Sequence, residues 1–594
     1  MSIWPEGYHD GETAEVRFQW TYPIVFSPQD PNTLYACGNK VFRTTDEGHS
    51  WTEISPDLTY ADPETLGVSG PLTMDTAGAE MYATIFSFMA SAHRAGTLMA
   101  GSDDGRVHVT HDDGGSWTEV TPDGLEKFSQ VTMLAESPHA EGTVYMTSAR
   151  HKNGDYAPYV WKTTDFGQTW SRIDDGLPDG QFCRVVREDP NRQGLLYVGT
   201  ELGLWASFDD GASWQSLQLN LPVTPVYDLV VKDTDMVVAT HGRSFWILDD
   251  LTQIHQAADA SVDEAAHLFT PRDAIRTPPD LFADFWGSKG GKNYHVTIGQ
   301  NATFELDEDD TGWLSKRVID GGSDLDRGVR ITYWLAETPA EGELVTLTIL
   351  DADGTEIDSF TSDRPDDEKE RAGNRYATAD AGMNVFQWDM RGKAGPKMVD
   401  TDFHPRPKAP ICVPGSYQVR LEVGDVSRTA GFNLVRDPRV DTPDEDLAAQ
   451  HELLSRIQGK LTEVVETVNG IRAMKKRVDD WKSRVADNGH VEITEASDGL
   501  VERLEAIEDE LVQKEFTSRG DVLNYREKLF EKLSGLPPVV GSADKPPTLQ
   551  SFQVYDKLEA LIDEQLGAYT SLVETDVAAL NDLLASTDLG PIGA

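Results

Sequence analysis

Apolar residues over positions 1–255 come in short runs separated by Gly, Pro, Asp and Asn, the rhythm of short strands joined by tight turns. Four of these runs, Val41-Phe42, Val107-His108-Val109, Val160-Trp161 and Leu204-Trp205, each lead into the same eight-residue phrase. Its copies are Thr44-Thr-Asp-Glu-Gly-His-Ser-Trp51, Thr110-His-Asp-Asp-Gly-Gly-Ser-Trp117, Thr163-Thr-Asp-Phe-Gly-Gln-Thr-Trp170 and Ser207-Phe-Asp-Asp-Gly-Ala-Ser-Trp214. A strand that enters such a phrase has to reverse. Gly48, Gly114, Gly167 and Gly211 supply the positive φ that the reversal demands. Asp46, Asp112, Asp165 and Asp209, two positions earlier, accept hydrogen bonds from N–H groups of the turn. Trp51, Trp117, Trp170 and Trp214 open the return strand and glue one sheet to another by burying a large apolar body. Every position therefore has a structural role, and neither a calcium ligand nor a catalytic acid is needed to account for the phrase.

Each phrase closes a longer unit. An apolar inner strand is followed by a turn such as Ser27-Pro-Gln-Asp-Pro31 or Glu188-Asp-Pro-Asn191. A second strand follows, marked by Leu34-Tyr35, Val144-Tyr145 or Leu196-Tyr197, and a third leads into the phrase. Repeated units of four short strands predict propeller blades. A fifth unit, Val226–Val231 with Met236–Leu248, has the strands without the phrase. Residues 256–440 change to longer alternating strands (Val345–Leu350, Gly382–Asp389, Pro414–Leu421) with Asp351-Ala-Asp-Gly354 as a hairpin turn. They predict an immunoglobulin-like β-sandwich, with the acidic stretch Glu305–Asp310 as a solvated loop. Residues 441–594 shift to helical spacing after the cap at Asp441–Asp446. Leu454, Ile457, Leu461, Val464, Val468, Ile471 and Val478 form one stripe; Leu500, Leu504, Ile507 and Leu511 form a second. Phe552, Leu558, Ile562, Leu566, Tyr569 and Leu580 form a third, which together predict an antiparallel α-helical bundle. The expected architecture is multi-domain and mainly β: a propeller of about five blades (1–255), a sandwich (256–440) and a bundle (441–594).

The shared pattern Ser/Thr-x-Asp-x-Gly-x-Ser/Thr-Trp resembles the Asp-box, or BNR repeat, of sialidase-type and sortilin-type β-propellers. From Arg17-Phe-Gln-Trp20 through His241-Gly-Arg-Ser-Phe-Trp-Ile-Leu-Asp-Asp250 and onward, the chain is similar to the large prokaryotic BNR-repeat "glycosyl hydrolase" proteins related to sortilin propellers. That resemblance implies further upstream blades, truncated here or separately encoded; five units could close alone, but an incomplete ring is the favoured expectation. Sialidases also need an Arg-Ile-Pro motif before the first box, three arginines and a Tyr–carboxylate pair. Arg17-Phe-Gln stands in place of that motif, which argues against sialidase activity. Two-propeller xyloglucan hydrolases share the boxes and place their site in a cleft between propellers, and this chain holds one of those walls.

Composition narrows the partners. With Lys+Arg 52 against Asp+Glu 101 in 594 residues, the formal net charge is -49 and the pI is about 4.5. A nucleic acid or an anionic membrane requires a basic footprint, so neither is expected as a partner. Hydrophobic residues at 39% are enough for a core. The carboxylates run through every segment, which resembles a haloarchaeal protein adapted to high salt and predicts unfolding in dilute buffer. Cys37, Cys183 and Cys412 are scattered and imply no disulfide framework or zinc site. The N-terminus has no signal pattern and no 18-residue apolar run occurs, so a cytoplasmic location is expected, or an extracellular one for a piece of a longer secreted protein. No metal or cofactor is expected: no phosphate loop, nucleophile elbow, dinucleotide fingerprint or H-E-x-x-H is present, and strand alternation points His108 and His111 to opposite faces.

Candidate chemistry therefore rests on propeller geometry. Strands alternate in direction, so the connections between second and third strands lie opposite the boxes, at the mouth where propeller ligands dock. Those connections carry Asn39, Ser102-Asp-Asp-Gly105, Arg150–Asp155, Thr200-Glu201 and Thr240–Arg243. Trp20, Arg150, Arg184, Tyr227, His241 and Arg243 are the ligand-binding candidates. The leading expectation is a binding and assembly protein that recognises a polypeptide or glycan there without catalysis. The alternative is a glycoside hydrolase, which needs two carboxylates about 5 Å apart for retention or roughly 6.5–9.5 Å for inversion. Asp103 or Asp104 facing Glu201 is the nominated pair.

Overall fold

The computed structural model describes residues 3–6, 11–68, 81–257, 265–277, 291–297, 300–319, 322, 325–367, 374–401, 403–485 and 490–586. The chain divides into two compact units, residues 1–259 and 260–594.

The first unit is a run of five antiparallel sheets in chain order. The first sheet is Ile24–Phe26, Leu34–Cys37, Val41–Thr44 and Thr52–Glu53. The second is Ile85–Ala90, Leu98–Ser102, Val107–Thr110 and Thr118–Glu119, and the third is Gln130–Glu136, Val144–Arg150, Asp155–Thr163 and Ser171–Arg172. The fourth is Cys183–Glu188, Leu196–Thr200, Leu204–Ser207 and Gln215–Ser216; the fifth has three strands, Val226–Lys232, Asp235–Thr240 and Phe245–Leu248. Each strand pairs with its neighbour in sequence, and each sheet packs on the next one. This is the order of propeller blades. A separate apolar core fills each junction, as where Tyr35, Val41 and Ile54 meet Ile85, Phe88 and Leu98. Close approach is built in at Gly199, where a Cβ would come within 2.6 Å of Val185 and Val226 side-chain atoms.

All four phrases fold alike. In the first, Thr44 Oγ1 donates to Asp46 Oδ1 and accepts from Gly48 N, while Ser50 donates to Asp46 through both its N–H and its hydroxyl. The same bonds recur around Asp112, Asp165 and Asp209. Hydrogen bonds from the backbone and hydroxyl of Ser50 and from Thr44 pull the Asp46 carboxyl down to about 2. The glycines adopt φ of 80–92°, and the residue before each (Glu47, Asp113, Phe166, Asp210) is also left-handed at 56–60°. Trp117, Trp170 and Trp214 donate through Nε1 to Ile54 O (2.8 Å), Val120 O (2.8 Å) and Ile173 O (2.7 Å), each just past the short fourth strand of the preceding sheet.

In the second unit, a three-stranded sheet (Ala266–Leu268, Val329–Leu335, Gly382–Trp388) and a five-stranded sheet share one core around Trp388, Tyr333 and Phe386. In order, the five strands are Ala274–Arg276, Val426–Arg436, Gly415–Val423, Val345–Asp351 and Glu356–Thr361, the first pair parallel. A further sheet, Gly291–Thr297, Gln300–Glu308 and Leu314–Val318, corrects the reading of Glu305–Asp310 as a loop. Glu305–Glu308 is strand, because buried Phe304 and half-buried Leu306 alternate with Glu305 and Asp307, and Glu305 pairs with Arg317 on the neighbouring strand.

Four helices, Asp444–Val485, Val491–Leu511, Leu549–Leu572 and Ala578–Ala585, surround a second core. Ile457, Val464, Val468 and Ile471 meet Leu500, Leu504, Ile507, Ile562 and Leu580 there. Asp444, Glu445 and Asp446 in the first turn and Lys482 and Arg484 in the last complement the long helix's dipole. A buried ion pair, Arg276–Asp544 at 2.6 Å, and a buried hydrogen bond between His404 Nε2 and the Glu531 carboxylate at 2.9 Å join this helical region to the strand region. Among the described residues no helix is long and apolar enough to cross a membrane.

Candidate functional site

Two side-chain networks occupy the end of the first unit where second strands hand over to third strands. The first joins sheets one and two. Asp103, 4% exposed, accepts from Thr84 N (2.9 Å), Thr84 Oγ1 (3.0 Å) and Gln19 Nε2 (3.3 Å). Asp104, 1% exposed, accepts from Ser102 Oγ (2.6 Å) and from the Tyr60 and Ala61 N–H groups (2.8 and 3.3 Å). Asn39 and Arg17 converge on Asp57 at 2.8 and 2.6 Å. Burial pushes the Asp103 carboxyl up to about 7, and the neighbouring Asp104 charge adds to it; burial also raises Asp104. These carboxylates tie strand ends to the crossing between sheets.

The second network spans sheets three to five and is built from rings. The Arg184 guanidinium lies over the Tyr227 ring (4.1 Å to the centroid) and over the Phe182 ring (4.8 Å). Glu201 anchors it, taking Nε at 2.8 Å and Nη2 at 2.6 Å. His151 stacks on Phe182 with centroids 4.4 Å apart, and His241 stacks on Tyr227 at 4.7 Å. Tyr156 approaches Phe182 with its ring tilted, centroids 6.3 Å apart. Burial, then the nearby Arg184 and Lys152 charges, lower the His151 pKa; its Nδ1 is shielded and has no hydrogen-bond partner. Tyr156 and Tyr227 present 54% and 40% of their surface to solvent, leaving the row accessible. The local sequence explains the placement: Phe182 and Arg184 flank the start of one inner strand, Tyr227 starts the next, and His151 and His241 sit in the opposing connections.

Of the residues singled out from sequence, the structure brings Arg184, Tyr227, His241 and Glu201 together. Arg150 is engaged with Glu126 and lies 3.7 Å from Asp155. Trp20, 75% exposed, precedes the first strand of the first sheet. Arg243 is exposed in the turn of the fifth sheet, its carbonyl accepting Trp246 Nε1 at 2.9 Å. Asp103 and Asp104 belong to the first network and Glu201 to the second, with no shared partner among their hydrogen bonds. His151 lies in the Arg150–Asp155 connection expected at the mouth, whereas Tyr156, one residue beyond it, was not legible as a site residue. The one signal was an aromatic directly after the Gly154-Asp155 end of a connection. His108 is buried, its pKa lowered to about 4 by burial and by Arg106, while exposed His111 meets the edge of Phe166 at 5.3 Å. Among the described residues no group of three His, Cys, Asp or Glu is placed to hold a metal ion.

This is a mainly β chain whose first unit has propeller order. No protein-family model matches it. It is similar to part of a xyloglucanase of Acetivibrio thermocellus, 29% identical over 110 residues, covering 16% of this chain and 13% of that protein. It is also similar to a probable oligoxyloglucan-reducing end-specific xyloglucanase of Neosartorya fischeri, 24% identical over 259 residues, covering 39% and 31% of the two chains. The chain thus spans less than a third of the length of these relatives. Solved structures similar to it include the GH74 xyloglucanase of Xanthomonas campestris (TM-score 0.31, 12% identity, 70% of this chain and 80% of that one). Another is YCF48 bound to a D1 peptide (TM-score 0.27, 17% identity, 40% of this chain and 64% of that one).

Proposed function

We propose that the ring-lined end of the propeller binds a polysaccharide, as one wall of a glycoside-hydrolase-type cleft of the Asp-box (BNR-repeat) class. The observation that carries this reading is the row Tyr156–Phe182–Arg184–Tyr227–His241, with Glu201 paired to Arg184. The exposed rings of Tyr156, Tyr227 and His241 offer apolar surface to the C–H side of a sugar, buried Phe182 supports Arg184 from beneath, and the Arg–carboxylate pair offers fixed donors and acceptors to its hydroxyls. The local similarity to xyloglucanases supports a β-glucan as the glycan. Catalysis by this wall alone is disfavoured, because Glu201 is neutralised by Arg184 and Asp103 and Asp104 are consumed by strand-end hydrogen bonds. Asp103 nonetheless holds a proton near neutrality, the state a general acid requires. In this reading the two-sheet region is an immunoglobulin-like accessory domain and the helices an antiparallel bundle, both serving assembly.

Affinity electrophoresis on xyloglucan in molar KCl tests the proposal. Retardation is expected, weakened at least about tenfold in Arg184→Met and Tyr227→Ala, a loss of about 1.4 kcal/mol. Migration unchanged by xyloglucan and by other β-glucans refutes glycan binding. Peptide binding that depends on the same residues would then identify a polypeptide ligand. Release of reducing ends by the chain alone, abolished in Asp103→Asn and Glu201→Gln, would overturn the one-wall reading in favour of a complete hydrolase.

A further inference from the structure

The second unit holds a cavity of about 450 Å³ between its strand region and its helices. Three stretches of sequence build the walls. Along the helix Asp444–Val485, the residues Gln450, His451, Leu454, Gln458 and Leu461 recur at steps of one, three and four and so line one face. The facing wall is Pro405-Arg-Pro-Lys-Ala-Pro-Ile411, where each proline fixes its own φ and holds the residue before it extended. Phe530, Ser534, Pro537 and Pro538, on two short helices, close the side.

Hydrogen bonds fix how the walls run. Gly395 N donates to Pro407 O at 2.8 Å, and a Cβ on Gly395 would fall 2.7 Å from Thr462 Oγ1, so Pro407 lies beside the Leu461 turn of the helix. At the other end Arg276 donates through Nε to Cys412 O (3.0 Å) and through Nη1 to Asp544 (2.6 Å). Gln450 Nε2 holds the loop that carries Asp544, donating to Val540 O (2.9 Å) and Ala543 O (2.7 Å). The proline-rich segment therefore runs antiparallel to the helix. The cavity extends from Leu461 to Gln450, about 16 Å at the helical rise per residue.

Cations stand along that length. Arg406 lies at the Leu461 end and Arg276 at the Gln450 end; Arg391 lies between them, its Nη1 donating to Ala409 O at 2.6 Å. Lys408 is exposed on the same segment. Asp544 is the one carboxylate of the lining, so four cations face one anion in a chain whose net charge is -49. The Arg391 and Arg406 side chains donate only to the carbonyls of Ala409 and Gly395 and to the Asn374 amide oxygen, and neither forms an ion pair among the described residues. Arg276 is 4% exposed, and its Nη2 makes no hydrogen bond among the described residues. Between the charged ends the surface is apolar, with Leu454 on one wall and Pro407, Pro410 and Ile411 on the other.

We infer that this cavity binds a small organic dicarboxylate whose two heads are joined by an apolar chain. One head pairs with Arg406, the other with Arg391 and the unpaired Nη2 of Arg276, and the chain lies along Leu454, Pro407 and Pro410. The volume falls within the roughly 300–1,000 Å³ of small-molecule sites and far exceeds what an inorganic anion fills. A singly charged carboxylate suits the Arg276 end better than a phosphate does, because Asp544, 2.6 Å from the same guanidinium, repels each further negative charge. Guanidinium forks match carboxylates in two-pronged pairs, and partly buried pairs of this kind are screened less by salt than surface pairs are.

Equilibrium dialysis of the full chain against decanedioate in molar KCl tests this. One equivalent should bind, at least about tenfold more tightly than decanoate, which lacks the second head, or succinate, whose heads stand too close together. Arg406→Met should bring decanedioate down to the affinity of decanoate while leaving decanoate itself unchanged, a pattern that a merely structural role for Arg406 would not give. Leu454→Trp, which carries an indole into the cavity from a half-buried helix position, should abolish binding of both, with a melting temperature within about 2 °C of the parent's. Binding too weak to detect at about 10 mM decanedioate overturns the inference. Equal affinity for decanoate and decanedioate overturns it too, since one charged end would then be idle. Binding that survives both Arg406→Met and Leu454→Trp places the ligand elsewhere and is equally fatal.

Discussion

Asparagine in place of Asp103 should make the propeller unit more stable at pH 8, a gain that fades below pH 5. In the folded chain burial, with the Asp104 charge beside it, raises this carboxyl from the usual 3.8 to about 7. The unfolded chain releases the proton near pH 4. Between about pH 4 and pH 7 the folded state therefore holds one proton more than the unfolded state, so stability from this group falls as pH rises through that window and stays low above it. The displacement sets a ceiling of about 4 kcal/mol. Reorganisation of the amide partners reduces the gain, leaving about 1–3 kcal/mol for the variant at pH 8. The substitution is geometrically tolerable. An asparagine oxygen still accepts from Thr84 N, and the Thr84 hydroxyl and Gln19 amide, which donate to the other carboxylate oxygen, can turn to accept instead. Urea unfolding of parent and variant in molar KCl at half-unit steps from pH 4.5 to 8.5 measures the difference directly, cancelling the titration of other carboxylates. A difference that is flat with pH, or one that grows as pH falls, refutes the reasoning.

Other expectations follow from the same structure. With a formal net charge of -49, raising KCl from 0.2 to 3 M should lift the melting temperature by more than about 5 °C as screening shortens to a few ångströms; a salt-indifferent melt would show that surface repulsion is not limiting. Arg276→Met leaves Asp544 buried without its cation, both side chains being 5–6% exposed, and should cost about 3–5 kcal/mol in denaturant melts of the second unit. A cost below about 1 kcal/mol would mean that Asp544 rehydrates or neutralises. Gly167→Ala places a methyl 2.8 Å from Val120 Cγ2 at φ 89°, whereas Gly180→Ala has open space at φ 81°. Gly180→Ala should therefore lose about 1 kcal/mol and Gly167→Ala more, by thermal melts; equal losses would rule out crowding between sheets three and two.

The repeated phrase shows how much function is legible when chemistry is local. Its bonds run between residues two and four apart, so Asp46 and its three counterparts could be given their turn roles from spacing alone. The left-handed residue ahead of each glycine has no sequence signature, because Asp, Glu and Phe share no property that selects that conformation. Glu305–Glu308 is strand rather than loop for a related reason. Its charges suggested a solvated loop, yet a strand with one wet face accommodates alternating carboxylates, and pairing with Leu314–Val318 lies outside any local window.

The amino-acid sequence by itself determined the repeating turns, the number of sheets in the first unit and the helical stripes of the last, because each follows from backbone conformation and from apolar periodicity over a few residues. Only the tertiary structure decided which side chains meet at the mouth. Arg184 lies between Phe182 and Tyr227 because neighbouring sheets set their inner strands side by side, and the same packing commits Asp103 and Asp104 to strand ends. Such meetings depend on the angle and spacing between sheets, quantities that no stretch of sequence contains.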